Sequence, residues 1–192
     1  MKKNYLFYII LLLCIIAFCT GAFYETSVQG SIKTQLMGLL SDYYMEKDFS
    51  TLFNIFLHRA KDISIVWLIL LLAPVLPIFA IFTPIFPVSK GLSLGFSATM
   101  IIENFGYKGI WYILLSILPQ GLLPLPVICI LTVLTIEFSL HTAKFYVQKS
   151  QRKRNKNALI KLSRHYILAF ILGLIALLIS CLIEVFLLQF LL

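Results

Sequence analysis

The sequence predicts an all-α integral membrane protein with five transmembrane helices plus a re-entrant half-helix, the N-terminus inside and the C-terminus outside. Three observations carry this. Of the 192 residues, 60% are apolar and 12% charged, with a mean hydropathy of +0.97, far outside the composition of soluble domains. Apolar runs long enough to cross a hydrocarbon core of ~30 Å recur along the chain. The net charge of +8 is concentrated in one inter-run segment, where Lys149, Arg152, Lys153, Arg154, Lys156, Lys161 and Arg164 stand with no acid among them. Such a cationic excess marks a cytoplasmic loop.

From that anchor the elements follow in order, as a single polytopic domain over 1–192. The first span is 5–23, read as an uncleaved anchor because its apolar core exceeds that of a secretory signal. Residues 24–62 hold Glu25, Asp42, Glu46, Asp48 and Asp62 mixed with Lys33, Lys47, Arg59 and Lys61, and fit the outside. Within them Ile32, Leu36, Leu39, Leu40 and Tyr43, and then Leu52, Phe53, Phe56, Leu57 and Ala60, recur at helical spacing, so this loop is amphipathic. The second span, 63–82, contains Pro74 and Pro77 and should kink and stop there. Lys90 reads as part of a cytoplasmic turn. The third span, 88–102, carries Gly91 and Gly95 on a small-residue stripe that admits close helix packing.

The run 110–118 spans only about 13 Å of helix at 1.5 Å per residue, too short to cross. It reads as the re-entrant piece, broken at Pro119-Gln120-Gly121 before a full span at 122–146. Irregular backbone at membrane depth must be satisfied by protein or trapped water, so the break belongs inside the bundle. Gln120 is the expected cap for its freed groups, and Pro124 and Pro126 fall in the first turn of the next helix, where a missing N–H costs little. The basic loop, 147–165, leads to the last span, 166–192.

Chemistry is sparse. Glu137, His141 and Lys144 share a helix face, an intramembrane polar ladder. Glu184, about 27 Å of helix beyond Tyr166, reads as lying near the outer boundary. The four cysteines fall in apolar runs and behave as small hydrophobes. No His-Glu-x-x-His pair, Gly-x-Ser-x-Gly elbow or phosphate-binding glycine loop is present, so a non-catalytic protein without metal or cofactor is expected. The basic segment is short and lacks interleaved aromatics, which excludes a nucleic-acid partner.

Lys90-Gly-Leu-Ser-Leu-Gly-Phe, Gly106-Tyr-Lys-Gly and Ser116-Ile-Leu-Pro-Gln-Gly-Leu-Leu-Pro-Leu-Pro-Val, in this order, resemble the stage II sporulation protein M family. The resemblance is best over 63–139. It departs before the second span, where His58-Arg59-Ala60-Lys61-Asp62 replaces the Asn-rich turn usual in that family. What it implies is a bacterial plasma-membrane scaffold of engulfment, recruiting or anchoring peptidoglycan-degrading partners at the septum. The competing expectation is a permease-like subunit moving a lipid or small solute, with a separate cytoplasmic ATPase docked on the basic segment.

Overall fold

The computed structural model describes residues 3–27, 30, 33–38, 49–75, 78–117, 119, 121, 123–147 and 152–189. Among these the chain is helical throughout, with no strand. Helix α1 spans Lys3–Thr26, α2 Phe49–Leu72, α3 Ile85–Phe105, α4 Tyr107–Tyr112, α5 Pro124–Val147 and α6 Arg152–Gln189, with a short helical stretch at 33–38. Four segments are long and apolar enough to cross a membrane: Tyr5–Thr26, Phe79–Phe105, Pro124–Ala143 and Leu162–Leu187. Residues 39–48, which hold part of the expected amphipathic loop, lie outside the described residues, as do Gln120 and Lys149.

Prolines set the boundaries. Helix α2 ends at Leu72, tight 3₁₀ turns follow at Ala73–Val75, through Pro74, and at Phe79–Phe82, and Pro77 lies outside the described residues. Pro84 precedes α3 and Pro87 sits in its first turn, where no intrahelical donor is needed. The helix therefore starts three residues earlier than the expected span, and Lys90 lies inside it and not in a connecting turn. At the other end of the chain, α6 begins at Arg152. Lysine, arginine, alanine and leucine are good helix formers, so most of the basic segment is the helical base of α6 and not a loop.

Helices α1 and α3 run side by side in the same direction. Gly91 faces the Cys14 carbonyl, where an added Cβ would lie 2.7 Å from the oxygen, and a Cβ at Gly95 would collide with the Phe18 carbonyl. Further along, the rings of Tyr24 and Phe96 sit 6.4 Å apart. Only glycine lets two helix backbones meet this closely. Helix α5 runs against α1: Cys14 and Cys129 bring their Sγ atoms to 3.8 Å, while Ile10 and Val133 share the same buried cluster, with Leu6, Phe7 and Ile136 packed against it.

Helix α6 runs against α5, pairing Tyr166 with Phe138, Gly173 with Leu131 and Ser180 with Pro119. Helix α2 in turn runs against α6, with Leu70 at Tyr166, Trp67 at Phe170 and Arg59 at Glu184. So α1, α3 and α6 point one way, α2 and α5 the other.

The main core lies where α2, α5 and α6 meet: Leu70, Ile128, Leu131, Tyr166, Phe170 and Leu177 are all buried there. Its polar atoms answer a backbone need. In a continued helix the Leu70 carbonyl would accept from residue 74, and Pro74 has no N–H to give. The Tyr166 hydroxyl donates to it instead at 2.9 Å, and the Thr135 hydroxyl stands 3.2 Å from the same oxygen. Trp67 Nε1 donates to the Phe170 carbonyl at 2.8 Å, adding a second tie between α2 and α6.

Candidate functional site at the helix break

The chain reverses at Gly106, whose φ of 56° is the left-handed conformation that glycine adopts freely. Helix α4 then folds back along α3. Gly109 lies against the Ile101 carbonyl, Tyr112 packs on Phe105 with ring centroids 4.7 Å apart, and Ile117 joins Leu94 and Ile101 in a buried cluster. A π-helical turn at Ile113–Ile117 ends this descent, and α5 resumes in the same direction from Pro124. The expected half-helix at 110–118 thus lies alongside α3 and runs in the direction that α5 takes.

At the break, Ser180 of α6 is 3% exposed and donates its hydroxyl to the Pro119 carbonyl at 3.1 Å. As at Leu70, a hydroxyl from a neighbouring helix satisfies a backbone carbonyl where a helix is interrupted. Gly121 is buried against Leu94, leaving 2.7 Å for an added Cβ. Pro119 and Pro124 are buried and Pro126 is half-buried.

One turn beyond Ser180 lies Glu184, 3% exposed. It faces Arg59 of α2, whose Nε is 3.6 Å from Oε1, and that oxygen has no hydrogen-bond partner among the described residues. An ion-pair distance of this length lies beyond a hydrogen bond. Lys90 of α3 stands within electrostatic range of Arg59, Asp62, Cys181 and Glu184. Glu184 is therefore enclosed, because α2 continues as helix upstream of Ile63 and brings Arg59 over it. Arg59, Asp62, Lys90 and Ser180 were not singled out from the sequence as members of this group. The available signal was the Ser180-to-Glu184 spacing of one helical turn beside a broken partner helix.

The remaining residues scatter. Glu137 is half-buried on α5 and His141 exposed, while the side chain of Lys144 lies outside the described residues. So do the side chains of Arg152, Lys153, Arg154, Lys156 and Lys161; Arg164 is exposed. Glu137 and Glu184 sit on different helices in different surroundings.

A second charged group closes the end of the bundle where α1 and α3 finish. Lys33 bridges Glu103 of α3 and Glu25 of α1, the latter at 3.1 Å. Both Glu25 oxygens are buried and lack hydrogen-bonding geometry, so the charge contact with Lys33 is their compensation. Glu103, and after it Glu25, hold the Lys33 ammonium above the ordinary lysine range. Asn104 Nδ2 adds a bond to the Met37 carbonyl at 3.4 Å, so the 33–38 stretch is tied to α3 twice.

The sequence model of Stage II sporulation protein M matches residues 6–187. No curated protein and no solved structure matches the chain. The matched region begins within α1, ends within α6 and takes in both polar groups and the helix break, so this sporulation-related membrane protein belongs to the stage II sporulation protein M family.

Proposed function

We propose that this protein is a non-catalytic scaffold of the bacterial plasma membrane that recruits or anchors peptidoglycan-degrading partners during septal membrane migration in sporulation. It crosses the membrane five times. Parallel α1 and α3 require the chain between them to return, and α2 with its 3₁₀ turns is the return; its Arg59, Lys61 and Asp62 keep it from reading as apolar. Helices α4 and α5 together make the fourth crossing. The basic residues at the start of α6 favour the cytoplasm for that end, which sets the 33–38 stretch outside.

The observation that carries the scaffold reading is the clasp of Lys33 on Glu25 and Glu103. It fixes the 33–38 stretch to two helices, so a partner meets a pre-ordered surface there and less ordering entropy opposes binding. Affinity purification of the intact chain from sporulating cells tests this. An extracytoplasmic hydrolase or its anchor should co-purify with the parent, and Lys33→Glu should release it while the chain still reaches the membrane. Recovery of a cytoplasmic nucleotide-binding subunit in its place would sink the scaffold reading.

One observation favours the permease-like alternative: charged residues buried beside a discontinuous helix are the usual setting of a substrate or ion site in membrane transporters. The same purification separates the two.

A further inference from the structure

Helix α3 packs closely on α1, α4 and α5, whereas its contacts with α2 and α6 are few. Between α3 and α2 there is a cavity of about 330 Å³, lined by Ile69, Leu72, Ala73, Phe79, Phe82, Thr83 and Phe86. It is apolar: the Thr83 hydroxyl is already committed to the Ala80 carbonyl at 2.7 Å.

The helix faces that line this cavity lead toward the polar group on both sides. On α3, Lys90 follows Phe86 by one turn, and on α2 the face through Ile69 continues to Val66, Asp62 and Arg59 at helical spacing. Two groups there lack a hydrogen bond among the described residues, Glu184 Oε1 having only the long ion-pair contact with Arg59. Lys90 makes no ion pair or hydrogen bond among the described residues, and Glu184 Oε1 is buried without a hydrogen bond. They lie within electrostatic range of each other but not in contact. Among the described residues around them, Arg59 and Lys90 balance Asp62 and Glu184. A net anion or cation gains nothing from such a group, while a dipole with separated charges gains at both ends. Arg59 at 30% and Asp62 at 56% side-chain exposure mark the side from which the group is reached.

We propose that the cleft between α2 and α3 holds one zwitterionic phospholipid. Its ammonium pairs with Glu184, its phosphate pairs with Lys90, and an acyl chain fills the apolar cavity below. Binding here requires neither transport nor the outer clasp, so its failure would leave the scaffold reading standing.

The test uses the purified full chain in detergent, with phosphatidylethanolamine, phosphatidylglycerol and soluble O-phosphoethanolamine as probes. Phosphatidylethanolamine should raise the thermal unfolding midpoint more than phosphatidylglycerol does. That preference should vanish in Lys90→Gln and in Glu184→Gln, and also in Ile69→Trp, which fills the cavity and leaves every charge in place. Where a variant fails to fold, lipid bound to the native parent chain is read directly by native mass spectrometry. Phosphatidylethanolamine should stay bound where phosphatidylglycerol at the same concentration does not. Equal effects of the two lipids, or no effect of either, would overturn the proposal. So would equal stabilisation by O-phosphoethanolamine alone, which would place the headgroup there without the lipid.

Discussion

Proline removes a donor, and at Leu70 a hydroxyl on another helix answers for the carbonyl that Pro74 leaves behind. The Leu70 carbonyl illustrates how shared such duty is. Tyr166 donates to it at 2.9 Å, and Thr135, whose shorter bond is to Leu131 at 2.8 Å, stands by at 3.2 Å. Tyr166→Phe should therefore cost about 1 kcal/mol, since Thr135 can turn to the exposed acceptor. Removing both hydroxyls, in Tyr166→Phe with Thr135→Val, leaves a buried carbonyl with no side-chain donor and should cost more than the two single changes together. Unfolding midpoints of the four proteins in one detergent measure that coupling, and strict additivity would mean the two hydroxyls act separately.

At the scale of helices, the interrupted line of α4 and α5 depends on its dock with α6. Ser180→Ala removes the donor to the Pro119 carbonyl and should lower stability by roughly 1–3 kcal/mol, whereas Ser180→Thr keeps the hydroxyl and should restore most of it. Thermal unfolding of both variants beside the parent decides this. Much of this line was legible in advance: prolines and a Gln-Gly pair inside an apolar run announce a break, and irregular backbone in a membrane has to be enclosed. The identity of the donor was not legible, because Ser180 lies on another helix 61 positions away. Lys90 and Arg59 escaped notice for a related reason. Hydropathy reads each segment alone and assigns charged residues to its ends, whereas α2 extends through Arg59 and α3 begins before Lys90, so both enter the bundle where Glu184 needs them.

For the molecule as a whole, the Lys33 clasp ties two parallel helices and the 33–38 stretch at one end. Because Glu103 and Glu25 raise the Lys33 pKa, the stabilisation it gives is fully present below the ordinary lysine value of 10.5 and is lost as pH rises through the higher folded value. Hydrogen exchange of 33–38 should accordingly quicken above about pH 10.5, and Lys33→Met should show fast exchange already at neutral pH with no further step. A parent protein whose exchange in this segment followed only the intrinsic pH dependence would show that the clasp does not order it.

The backbone contact between α1 and α3 also dictates a sequence of events in time. Gly21, Gly91 and Gly95 meet across helices that are far apart in the chain, and no nearer helix offers α1 the same fit. As the nascent polypeptide leaves the ribosome, α1 must enter the bilayer and wait, the face through Gly21 against lipid, while α2 is made. Only when α3 emerges does the groove close. A chain that stalls before Gly91 therefore presents the quality-control machinery with an unmated helix, and slow synthesis through 27–90 is where this protein is most exposed to loss.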